Sequence, residues 1–119
     1  MYEYRCRLRR IIDADTCVCD VDLGFSVILA NQKVRFNGID TPESRTRNLE
    51  EKKLGLEAKA RTKELIPKNF KMRTYKDAKG KFGRILGEPL TGDGKSVCDI
   101  LIEEGHARPY SGGKKETWV

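Results

Sequence analysis

The chain has 119 residues, with 24 Lys and Arg against 18 Asp and Glu, a net charge of +6 and a pI near 9.2. That length suits one domain. A charged share of 35% with a hydrophobic share of 38% excludes a disordered chain, and no apolar run approaches the ~18 residues that span a bilayer. The basic balance admits a polyanionic partner, the alternative being a soluble basic protein with none.

Residues 2–12 alternate apolar and polar and run into Ile11-Ile12, which predicts a strand ending at Asp13. Thr16 to Leu23 alternates again, with Cys17, Cys19, Val21 and Leu23 on one face, and Gly24 breaks the run. Ser26 to Ala30 and Lys33 to Ile39 read as further strand, so the first forty residues predict a three-stranded antiparallel meander. The period then changes. Leu49, Leu54, Leu56, Ala58, Ala60 and Leu65, set among Glu and Lys, predict a helix over about 48–66, stopped by Pro67, with Gly55 an unfavourable residue inside it. Phe70 to Lys76 and Phe82 to Leu86 read as strands around an Asp77–Gly80 turn. After a turn at Thr91–Gly94, Ser96 is placed to cap a short helix, Val97 to Glu104, ended by Gly105. The expected domain covers 1–108, followed by an irregular tail, 109–119, in which Trp118 either docks back or stays exposed. Five short strands with a helix after the third predict an α+β fold: a five-stranded oligonucleotide-binding (OB) barrel with one longer and one short helix.

The four cysteines, Cys6, Cys17, Cys19 and Cys98, match no zinc spacing. Cys17 and Cys19 share a strand face and are expected to pack as small hydrophobes. With alternation beginning at Tyr4 and no signal peptide before it, a reducing, cytoplasmic setting is expected, unless a leader has been removed.

Two carboxylate segments follow strands: Asp13-Ala14-Asp15-Thr16 and Asp40-Thr41-Pro42-Glu43. Taken singly, the first reads as a turn and the second as a helix start. Together they offer a hard cation such as Ca²⁺ two carboxylates and a backbone carbonyl, and leave Glu43 free to handle a water. Phosphodiester cleavage builds charge on the oxygens around phosphorus, and arginine forks onto phosphate; Arg35 and Arg84 are the candidates. Arg35 and Asp40 are five residues apart and would face opposite sides of a regular strand, so Asn37-Gly38 is expected to hold a bulge or kink. Ser44-Arg45-Thr46-Arg47-Asn48 is either a strand-guiding basic loop or a solvated one. Gly92-Asp93-Gly94-Lys95-Ser96 is not a phosphate-binding loop, since Pro89 stands where the first glycine belongs and no long helix follows. His106, the lone histidine, is expected to be structural.

These segments resemble the staphylococcal-nuclease-like (thermonuclease) family. Asp13-Ala14-Asp15-Thr16 looks like its Asp-Gly-Asp-Thr signature, and Arg35 with Ile39-Asp40-Thr41-Pro42-Glu43 looks like its second. Gly55-Leu56-Glu57-Ala58 is similar to its first helix, and Lys81-Phe82-Gly83-Arg84 resembles its Lys-Tyr-Gly-Arg motif. The likeness runs from about Leu8 to Ala107. It implies an OB barrel and Ca²⁺-dependent cleavage of DNA and RNA to 3′-phosphate products. Asp15, Asp40 and the Thr41 carbonyl would hold the metal, Glu43 would orient or deprotonate the attacking water, and Arg35 and Arg84 would clamp the phosphate. Lys81, Phe82 and Tyr110 would contact substrate, Tyr110 by stacking on a base.

There are departures. Ala14 replaces the signature glycine, which requires a negative φ there. Phe82 lacks the usual phenolic hydroxyl. The Thr16–Arg35 segment is longer than usual and predicts an extended hairpin around Gly24, and the tail after Gly105 has no amphipathic pattern for the family's last helix. The chain is expected to act as a monomer on DNA and RNA. The alternatives are a non-catalytic nucleic-acid-binding OB module and a protein-interaction domain of the same fold.

Overall fold

In a computed structural model the chain is described over residues 2–75, 84–111, 113 and 116–119. Five strands close into a barrel: β1 (Tyr2–Asp13), β2 (Thr16–Asp22), β3 (Ile28–Phe36), β5 (Asn69–Tyr75) and β6 (Arg84–Pro89), in the order β1-β2-β3-β6-β5. Helix α1 (Leu49–Leu65) follows the third barrel strand, and α2 (Val97–Glu103) follows the fifth. This is the OB-type arrangement expected, with β3 and β6 as its parallel pair. Two short segments, β4 (Ile39–Asp40) and β7 (Arg108–Pro109), form a separate antiparallel ladder.

Alternation explains the barrel. Cys6, Cys17, Cys19, Val21, Val34, Phe36, Phe70 and Met72 point inward and are buried, while their neighbours on each strand face outward or under α1. The long β1 serves two partners, pairing with β2 through Arg5–Asp13 and with β5 through Tyr2–Arg7. Register shifts at Leu8/Arg10 and Ile11/Asp13 let it bend. All four cysteines are free and buried. Contact with the Cys19 thiol, together with burial, raises the Cys6 and Cys17 thiols, and burial pushes Cys98 up to about 12; they act as core side chains.

Some bounds differ from expectation. The two runs expected at 26–30 and 33–39 are one strand that ends at Phe36. Asn31 sits inside it at φ 52, its N–H bonded to the Asp20 carboxylate at 2.8 Å, so the polar break is a kink within the strand. The hairpin around Gly24 is extended, and the φ values of Phe25 and Ser26 are 54° and 62°. Leu23, Phe25, Val27, Ile28 and Leu29 are exposed there. Asn48 caps α1, accepting from the N–H groups of Glu50 and Glu51 at 3.1 and 3.2 Å. The helix stops at Leu65, two residues before Pro67. Ser96 caps α2 as expected. The expected Asp77–Gly80 turn lies outside the described residues. Among the described residues no helix is long and apolar enough to cross a membrane.

Candidate active site

The site forms where three chain segments meet at one end of the barrel. The first is the β1–β2 turn. Asp15 precedes β2, and its carbonyl accepts the Phe36 N–H at 2.8 Å, so the turn is seated against the end of β3. Thr16 pairs with Arg35 in the same ladder. The Arg35 guanidinium therefore reaches the Asp15 carboxylate at 3.1 Å, with both side chains largely buried. The Thr16 hydroxyl donates to the other Asp15 oxygen at 2.9 Å. Ala14 is not among the residues with positive φ, so its methyl is accommodated where the family signature has glycine.

The second segment follows β3. The ladder breaks at Asn37-Gly38, where Gly38 takes φ +78, and the chain restarts in a different sheet as β4. Across that break Arg35 donates to the Phe36 carbonyl at 3.2 Å and to the Ile39 carbonyl at 2.9 Å. The kink thus brings Arg35 within one residue of Asp40. Asp40 and Thr41 are buried.

Residues 41–48 carry no helix. Thr41-Pro42-Glu43 is not a helix start; the next helix begins at Leu49, capped by Asn48. Glu43 is exposed. Its N–H donates to the Glu51 carboxylate at 3.0 Å, and its carbonyl packs on Gly55, where an added Cβ would lie 2.4 Å away. The loop is also tied to the first segment: the Ser44 hydroxyl bonds the Asp13 carboxylate, and Arg45 lies 3.9 Å from Asp13. Thr62 of α1, fully buried, donates to the Ala14 carbonyl at 2.8 Å. Helix α1 therefore supports the Asp15 turn through Thr62 and the Glu43 loop through Glu51 and Gly55.

The tail supplies the third segment. Asp40 pairs with Arg108 in the β4–β7 ladder, and the Tyr110 N–H donates to the Gly38 carbonyl at 2.8 Å. The Tyr110 hydroxyl donates to Gly113 at 2.7 Å. The Trp118 indole N–H donates to Asp40 Oδ2 at 3.2 Å. Arg84 opens β6, and its backbone pairs with Lys33, two residues from Arg35; its side chain lies outside what is described, as do Lys81 and Phe82. The sequence reading assigned no supporting bond to Asp13, Ser44 or Thr62, and of its two alternatives for Trp118 the docked one is observed. Only Gly55 carried a signal, as a glycine out of place in a helix.

The donor atoms are all oxygen. Among the described residues no three His, Cys, Asp or Glu side chains converge, so a cation here would take two carboxylates and complete its shell from carbonyls, substrate and water. That set suits a hard, irregularly coordinated dication rather than zinc.

The profile of the family described as staphylococcal nuclease homologue matches residues 33–117. The chain belongs to that family. Among curated proteins it is 35% identical over 105 residues to endonuclease YncB of Bacillus subtilis (strain 168), covering 85% of this chain and 46% of that protein. It is 29% identical over 115 residues to endonuclease YhcR of the same organism, covering 91% of this chain and 9% of that protein. The chain thus spans about half of one relative's length and about a tenth of the other's. The span that matches the family profile, 33–117, contains Arg35, the Asp40–Glu43 segment and α1.

Proposed function

We propose that this chain is a nuclease domain that hydrolyses phosphodiester bonds of DNA and RNA, with Ca²⁺ as its metal, leaving 3′-phosphate products. The observation that carries the reading is Arg35: one guanidinium holds Asp15 at 3.1 Å and the Ile39 carbonyl at 2.9 Å, joining both carboxylate segments in one site. The endonuclease names of both relatives support the class of reaction.

Asp15, Asp40 and the Thr41 carbonyl would hold the cation, whose contribution when bound is positive charge beside the phosphate and the attacking water. Arg35 presents five N–H donors in all, and the bonds to Asp15, Phe36 and Ile39 leave donors for a phosphate oxygen. Arg84, on the strand beside Arg35, would supply the second clamp. Such donors stabilise the pentacoordinate state more than the ground state because charge accumulates on those oxygens as the bond order changes. Glu43, exposed on a loop braced from two sides, would take the proton of the attacking water. The bond to the 5′ oxygen would break, that oxygen taking a proton from solvent, so that the products carry a 3′-phosphate and a 5′-hydroxyl. The exposed Arg45 and Arg47 flank this loop and would attract a strand by charge. Lys81, Phe82 and Tyr110 are the proposed substrate contacts.

The test is digestion of an end-labelled single strand with Ca²⁺ and with chelator, followed by analysis of the product ends. Cleavage to 3′-phosphate ends only with Ca²⁺ is expected. Binding without cleavage in either condition would instead favour a non-catalytic nucleic-acid-binding OB module.

A further inference from the structure

We propose that Trp118 is a positioning residue for the cation site: its indole N–H holds the Asp40 carboxylate in the orientation a divalent ion requires. This rests on the Ca²⁺ reading above. Three contacts close a ring. Asp40 and Arg108 are cross-strand partners in the β4–β7 ladder. The Arg108 guanidinium stacks on the Trp118 ring, 3.8 Å from its centroid, and donates to the neighbouring Thr117 carbonyl at 2.9 Å. The Trp118 Nε1–H then donates back to Asp40 Oδ2 at 3.2 Å. The ring joins Asp40 to Trp118 across 78 positions of sequence.

The chemistry suits orientation. A neutral N–H fixes one carboxylate oxygen without cancelling its charge, whereas a Lys or Arg there would compete with the cation. Arg108 over the ring face draws π density toward itself, which strengthens the N–H as a donor. Outer contacts of this kind on metal-ligating carboxylates commonly set affinity. Of Phe, Tyr and Trp, only Trp offers a ring to stack on and an N–H to give.

The test is calorimetric titration of Ca²⁺ alone into the whole chain, for wild type, Trp118→Phe and Asp40→Asn, with melting temperatures measured alongside. Trp118→Phe keeps a ring for Arg108 and loses only the N–H. It is expected to weaken Ca²⁺ binding about 10-fold, while melting with the wild type. Equal or tighter binding in Trp118→Phe would overturn the proposal; tighter binding would mean that the tail competes with the cation. A wild type that binds no Ca²⁺ would remove the metal reading and this proposal with it, whereas a binding wild type with an equal Trp118→Phe removes this proposal alone. Trp118 is the sole tryptophan, so a second readout needs no variant at that position. Its emission is expected to change on adding Ca²⁺ to the wild type and not to Asp40→Asn, and unchanged wild-type emission at saturating Ca²⁺ would overturn the assignment.

Discussion

Gly55, in the middle of the long helix, faces the backbone of Glu43: a Cβ built on it would lie 2.4 Å from the Glu43 carbonyl oxygen and 2.7 Å from the Ser44 nitrogen. Neither atom belongs to a flexible side chain. Helix α1 therefore sets the height of the loop that carries the proposed base, and the glycine that looked unfavourable in the sequence makes that approach possible.

Gly55→Ala separates two effects. Helix propensity favours alanine by about 1 kcal/mol. The overlap with backbone opposes it and is expected to win, because the loop is also tied to Glu51 and Asp13. The variant should melt below the wild type, and cleavage should fall by about 10- to 100-fold as Glu43 is displaced. A raised melting temperature with wild-type cleavage would contradict this packing.

Thr62 is expected to matter as a hydrogen-bond donor. It is fully buried and bonds both Ala14 and its own helix at Ala58. Thr62→Val keeps the shape and leaves the Ala14 carbonyl without that donor, at a cost of about 1–3 kcal/mol in urea unfolding. Thr62→Ser should recover most of the loss, and a Val variant as stable as the wild type would sink the assignment.

The tip of the β2–β3 hairpin stores backbone strain. Phe25 and Ser26 both take positive φ, the Val27 N–H bonds the Gly24 carbonyl at 2.9 Å, and the Phe25 ring is fully exposed. A left-handed conformation costs an L residue roughly 1–2 kcal/mol. Asn at 25 with Gly at 26 fits this turn geometry. The double substitution should raise the urea midpoint and leave cleavage unchanged, since the tip carries none of the proposed site residues; a lower midpoint would mean that the phenyl ring has a partner.

Acid sensitivity should come from two ion pairs remote from the chemistry. The Arg9 guanidinium, with the Asn31 N–H, holds the Asp20 carboxyl below its usual 3.8, and Arg61, forked onto Glu104 at 2.7 and 2.8 Å, lowers Glu104 from 4.5. Folded values below unfolded ones mean that both contributions are complete above the unfolded carboxylate range and are lost as pH falls through the lowered folded values. The wild type should therefore lose more stability below about pH 4.5 than Asp20→Asn/Glu104→Gln does. Parallel loss in both proteins would remove these pairs from the account.

Much of this architecture could be read from the residues. Period-two alternation located the barrel strands, and the change of period located α1. The five-residue spacing of Arg35 and Asp40 demanded a break, and Gly38 at φ +78 supplies it. What could not be read is what depends on distant pairing. Asn31 looked like a gap because its conformation is set by Asp20 across the ladder. The two-residue strands β4 and β7 are too short to carry a period and exist because they pair. For Trp118 the sequence left docking and exposure open, since its partner Asp40 lies 78 positions away. The loop of polar residues after Glu43 read equally well as solvated or guiding, and its bonds to Asp13 show a bracing role as well.

Glu43 is proposed to perform base chemistry at a phosphate held by Arg35 beside Asp15 and Asp40. Glu43→Gln is the direct test, because the amide keeps the size of the side chain and one acceptor oxygen but loses the charge and the basicity. Strand binding and cleavage should be measured on the same protein with Ca²⁺ present. Retained binding with cleavage lowered by about 100-fold or more is the expected result. Cleavage at the wild-type rate would contradict the account.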